Sequence, residues 1–128
     1  MGAWGTGIFD NDTACDWAYE LENSSDLSVI SSTINAVFND DYIDSDVACD
    51  ALAAIDTLAR LKGQHGVKNV YTEIVDNWVE KTQMTPPPEM IEKALSAIKL
   101  ILGNSSELCA LWSESEQATA WKEEINSL

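Results

Sequence analysis

The chain has 128 residues and a formal net charge of -15, with 22 acidic side chains against 7 basic ones. Such a field repels phosphate backbones and anionic lipid, so it argues against nucleic acid and against a membrane surface, and it favours a basic protein as partner. A hydrophobic share of 45% with five tryptophans argues against disorder. At this length it predicts one domain over 1–128 whose core needs no metal or disulfide.

The charge is uneven: no Lys or Arg precedes Arg60, whereas twelve acids do, from Asp10 to Asp56. The competing reading is that this acidity only keeps the protein soluble. Cys15, Cys49 and Cys109 are odd in number and far apart, unlike a secreted disulfide framework, and are read as reduced thiols. Nothing near the start reads as a signal peptide and no run approaches ~18 apolar residues, so a cytoplasmic location is expected. Met1-Gly2-Ala3-Trp4-Gly5-Thr6 fits an N-myristoylation pattern in form only, because no basic stretch follows to supply a second membrane signal.

In chain order, Gly2, Gly5 and Gly7 open the sequence and let Trp4, Ile8 and Phe9 tuck under a first helix. Ala14, Trp17, Ala18 and Leu21 place that helix over about 12–22, with Asn11 or Asp12 as its cap. Leu27, Ile30, Ile34, Val37 and Phe38 predict a second over about 26–38. The acidic turn Asn39 to Asp46 leads into the cleanest amphipathic helix, about 46–62. There Ala48, Ala51, Leu52, Ile55, Leu58 and Ala59 face inward, while Arg60 and Lys62 sit near the negative end of the helix dipole.

Gly63 and Gly66 stop that helix. Val70, Tyr71, Ile74, Val75, Trp78 and Val79 predict a fourth over about 68–82, with a strand as the alternative because of the β-branched content. Pro86-Pro87-Pro88 runs into the first turn of a fifth helix that carries Ile91, Leu95, Ile98, Ile101 and Leu102 inward and ends at Gly103. Asn104 with Glu107 reads as the capping box of a sixth helix, whose face is Leu108, Leu111 and Trp112. Ser113 with Glu116 offers another box before Ala118, Trp121, Ile125 and Leu128. The expected fold is all-α, a bundle of five to seven short helices with the Gly-rich N-terminal segment packed on the core.

Catalytic and metal motifs are scarce. His65 is the only histidine and sits in a Gly-flanked turn with no partner for acid–base work, so it reads as a solvated loop residue. No Walker A, HExxH, GxSxG or CxxC pattern occurs. The turn Asn39-Asp40-Asp41-Tyr42-Ile43-Asp44-Ser45-Asp46 misses the EF-hand glycine and closing glutamate. It is expected to be a solvated turn that caps the next helix. Gly5-Thr6-Gly7 follows no strand and faces acids, which disfavours phosphate binding. No cofactor is expected.

The run MGAWGTGIFDNDTACDW resembles a bacterial domain-of-unknown-function family of small acidic proteins whose opening reads Met-Gly-x-Trp-Gly-x-Gly-x-Phe-Asp-Asn-Asp-x-Ala-x-Asp-Trp. The resemblance continues through Ala51 to Leu61 and through Leu108-x-x-Leu111-Trp112-x-Glu114-Ser115. It implies a cytoplasmic bacterial protein of helical fold and brings no activity, cofactor or substrate.

Two readings of the opening stand side by side. In one, Trp4, Phe9 and Trp17 are core and Asp10, Asn11 and Asp12 satisfy backbone donors at the helix start. In the other, Asp10, Asp12 and Asp16 form an acidic patch for a cationic partner. Two functions follow: a non-enzymatic protein-binding module, such as an immunity or antitoxin-like inhibitor of a basic partner, or a small metal-dependent hydrolase using Asp10, Asp12, Asp16 and Glu20.

Overall fold

A computed structural model describes residues 7–39, 41–63 and 70–126 of the chain. Gly2, Trp4, Gly5, Asp40, His65, Gly66 and Leu128, each given a role above, lie outside the described residues. Among the described residues the fold is all-α: α1 Asp12–Glu22, α2 Ser28–Asn35, α3 Ser45–Leu61, α4 Glu73–Thr82, α5 Pro88–Ile101, α6 Glu107–Ser113 and α7 Ala118–Asn126. None of these helices is long and apolar enough to cross a membrane.

α1 forms where its apolar spacing predicts, and Asn11 is its cap. The Asn11 side chain accepts from the Ala14 N–H at 2.8 Å and donates to the Ile8 carbonyl, which ties the incoming turn to the helix start. Ala14, Trp17, Ala18 and Leu21 are buried, and Ile8 and Phe9 pack beneath them in the core. The expected second helix is shorter than 26–38. It starts at Ser28 and tightens into a 3₁₀ turn over Ala36–Phe38, leaving Phe38 at the surface under the Lys93 ammonium, 5.1 Å from the ring centre.

α3 is the axis of the fold and touches α1, α2, α4, α5 and α6. Its cap is Asp44, whose side chain accepts from the Val47 N–H at 2.9 Å, so the acidic turn ends in a capped helix. An amphipathic helix shows one apolar face, yet every residue from Ala51 to Arg60 is buried. Helices packed on several sides leave no solvent face there. The alanines at 51, 53, 54 and 59 let those neighbours approach closely.

The fourth expected helix is shorter than 68–82: α4 begins at Glu73, after a turn through Val70 and Tyr71, both exposed. Among the described residues of this stretch no strand forms. α5 buries Ala94, Ala97, Ile98 and Ile101, while Leu95, expected inside, is 52% exposed. Leu95 stands instead at the rim of a groove between α5 and α3, beside Ile55, Leu58, Ala59 and Lys62. Leu111 is likewise at the surface.

Neither predicted capping box forms. The cap of α6 is Ser106, accepting from the Cys109 N–H, while the Glu107 carboxylate reaches the Ser45 N–H at 2.7 Å and closes the start of α3 instead. A parallel bridge between Ile43 and Ser106 brings the two helix starts together, with bonds from the Ile43 N–H to the Ser105 carbonyl and from the Glu107 N–H to the Ile43 carbonyl. Ser113 remains inside α6, and a turn through Ser115 separates it from α7. Trp112 and Trp121 then stack across that turn, centroids 5.7 Å apart.

Candidate functional site

The N-terminal signature divides into structural and surface residues. Phe9 and Trp17 are core, and the Trp17 indole N–H donates to the Thr33 hydroxyl at 2.9 Å, fixing α1 against α2. The Asp10 carboxylate folds back on its own turn, accepting from the Gly7 N–H at 3.0 Å. A Cβ on Gly7 would lie 2.7 Å from that carboxylate, so a larger residue there would push the Asp10 side chain aside. Asp10 therefore does not point along α1 with Asp12 and Asp16. Those two are exposed on the helix surface.

What the tertiary structure adds is a second acidic row. Asp16 and Glu20 on α1 and Asp46 and Asp50 on α3 line one open cleft of about 310 Å³, with Thr13 on its wall and Trp17 behind it. Both rows have i, i+4 spacing, so each presents two carboxylates on one helical face. The Thr13 hydroxyl donates to Asp46 at 3.2 Å and links the helices across the cleft. No Lys, Arg or His is among the described residues lining it.

The electrostatic consequence falls on Asp50, the most enclosed of the four. Burial pushes its pKa up to about 6, and the negative charges of Glu20, Asp46, Asp16 and Asp44 add to the rise. The neighbouring Cys49 thiol is pushed up to about 12, by burial first and then by Asp50 and Asp46. Cys15 is raised by burial and by Asp12, Asp16 and Asp10. Both thiols are thus held protonated and poorly nucleophilic, which disfavours thiol chemistry at this end of the molecule.

Among the described residues no group of three or more carboxylates, thiols or imidazoles is arranged to hold a metal ion. The four-residue spacing of Asp12, Asp16 and Glu20 places them along one helix rather than around a point, and Asp10 is engaged elsewhere.

Asp46 and Asp50 are the cleft residues that sequence reasoning did not place. Their only signal was the shared i, i+4 spacing in two acidic helices, which says nothing about whether those helices cross. A second polar cluster was also missed. Arg60 is buried and pairs with Asp56 at 3.3 Å on its own helix and with Asp76 of α4 at 2.7 Å, while the Thr72 hydroxyl donates to Asp76. Its charge is neutralised by partners inside the protein rather than by the helix end, as its position near the C-terminus of α3 had implied.

No curated protein and no solved structure matches the chain. A family model described as a domain of unknown function, DUF4259, matches residues 2–124. The match spans α1 to α6 and most of α7, core and acidic cleft alike, and the chain belongs to that family.

Proposed function

We propose that this protein is a non-enzymatic binding module that presents the acidic faces of α1 and α3 to a basic protein, in the manner of an immunity or antitoxin-like inhibitor acting in the bacterial cytoplasm. One observation carries the reading: Asp16, Glu20, Asp46 and Asp50 share one cleft lined by no cationic side chain among the described residues. Like charges gathered without counter-charges are unfavourable in the free protein, and a lysine or arginine from a partner relieves them. The excess of acids before Arg60 extends the same field and would speed encounter with a basic surface. Asp12, exposed beside the cleft, adds to it, whereas Phe9, Asp10, Asn11 and Trp17 hold the helix that displays it.

The test is affinity capture from the native host at low and high salt, run in parallel with Asp16→Asn/Glu20→Gln/Asp46→Asn. The expected result is a basic protein retained at low salt, released at high salt and absent with the variant. Capture indifferent to both salt and substitution overturns the proposal. The hydrolase alternative requires converging carboxylates, and no observation favours it over binding.

A further inference from the structure

Asp50 is the one carboxylate of the acidic cleft that is not at the surface. Asp16, Glu20 and Asp46 are exposed, whereas Asp50 is half-buried. The Thr13 hydroxyl donates to Asp46, but no described residue donates a hydrogen bond to the Asp50 carboxylate.

The elements packed on α3 bring Asp50 no counter-charge. α1 presents Asp16 and Glu20, and α3 itself adds Asp46, its cap Asp44 and the Cys49 thiol. α2 carries no titratable side chain, the Glu107 carboxylate of α6 is held on the Ser45 N–H, and Asp76 of α4 is held on Arg60. The other charged groups of α4, Glu73, Glu80 and Lys81, are exposed. α5 meets α3 through Ile91, Ala94, Leu95 and Ile98, beside Lys62, toward the opposite end of the helix. Every charge that bears on Asp50 has its own sign.

A half-enclosed carboxylate among like charges and without a donor holds its proton tightly, and here burial and those neighbours push the pKa up to about 6. A lysine or arginine arriving in the cleft supplies the opposite charge and a donor, so it favours the ionised form. By linkage, a ligand that favours the ionised form displaces the proton, and the proton opposes the ligand equally.

We infer that docking of a basic partner in this cleft is coupled to the loss of one proton: a lysine or arginine side chain enters beside Asp50 as that carboxyl gives its proton to solvent, so the complex forms at neutral pH and loosens on mild acidification. The inference rests on the binding role proposed above and adds its regulation. Lysine and arginine stay charged throughout this range, so the switch lies on this chain rather than in the side chains it receives.

Acetylated and amidated hexa-arginine, which has no group titrating near pH 6, serves as the cationic probe, its affinity measured by calorimetry at constant low salt. Binding should be about tenfold weaker at pH 5 than at pH 7, as expected for one carboxyl that moves from about 6 to the ordinary range when the probe docks. At pH 6 the heat of binding should vary with the ionisation enthalpy of the buffer, reporting about half a proton released per peptide. Asp50→Asn should reduce the pH dependence to less than about twofold and remove the buffer dependence. Equal affinity at the two pH values, or a pH dependence that Asp50→Asn leaves intact, overturns the inference; the binding role still stands if Asp16→Asn/Glu20→Gln/Asp46→Asn abolishes binding. A probe that does not bind, or that this triple variant binds as well as the unmodified protein does, overturns both.

Discussion

Two aspartates on α3 meet opposite fates. Asp50, toward the N-terminal end, faces α1 across a cleft where Asp16 and Glu20 add charge of its own sign, and its pKa is pushed up to about 6. Asp56, further along, faces the Arg60 guanidinium, which also binds Asp76 of α4. One helix therefore carries an unpaired acidic seam at one end and a paired, buried one at the other. Burial does not decide the outcome, since the more deeply buried carboxylate is the better satisfied. The side chain's fate is set by the sign of the charge within its reach, a cation one turn along its own helix for Asp56 and neighbouring carboxylates for Asp50.

The largest expected effect breaks the paired end. Arg60→Ala leaves Asp56 buried and Asp76 half-buried without their cation and should cost about 3–5 kcal/mol in a urea melt. Replacing the set together, as Arg60→Met with Asp56→Leu and Asp76→Leu, should recover most of that loss, because no charge is then stranded. A triple variant as unstable as Arg60→Ala would mean that the cluster is worth more than its charges.

A smaller effect of opposite sign is expected at the unpaired end. Asp50 has its folded pKa raised above its ordinary 3.8, so the folded protein binds a proton more readily than the unfolded chain does. Its contribution to stability is then fully present below the unfolded pKa and is lost as pH rises through about 6. Asp50→Asn should raise the melting temperature at neutral pH and flatten this part of the pH profile. A profile unchanged by the substitution would show that the seam places no strain on the fold.

The smallest effect sharpens the comparison. Asp16→Asn with Glu20→Gln should change stability by no more than ~0.5 kcal/mol, as exposed substitutions usually do, while moving the Asp50 carboxyl titration, followed by NMR, back toward the ordinary carboxylate range. If the Asp50 titration stays in place, burial and the carboxylates of Asp46 and Asp44 raise it and the facing row on α1 contributes nothing.

Much of the helix layout was legible in the chain itself. The stripe Ala14, Trp17, Ala18 and Leu21 located α1 to its ends, and the α3 and α5 stretches were read within a residue or two, because helical periodicity and caps are local properties. The errors came where a local pattern had rivals. Glu107 had the spacing for a box with Asn104 but bonds Ser45, a residue 62 positions away. Leu95 fitted an apolar stripe, yet the buried face of α5 is Ala94, Ala97, Ile98 and Ile101, and Leu95 is left half-exposed at the rim of the groove with α3. The signature residues of α1 were legible as cap and core, whereas half of the acidic cleft was not, because Asp46 and Asp50 look like any solvated pair on an amphipathic helix.

The order of residues by itself determined an all-helical fold for the described residues, the start of α1 at a cap of Asn11 or Asp12, and a strongly negative first half, since hydrogen bonding within a helix, apolar spacing and net charge need no distant partner. Only the tertiary structure decided that α1 crosses α3 so that two acidic rows share one cleft, and that Arg60 finds Asp76 on α4. Those pairings depend on where separate helices meet, and the energy of a charge depends on what stands a few ångströms away in space rather than next to it along the backbone.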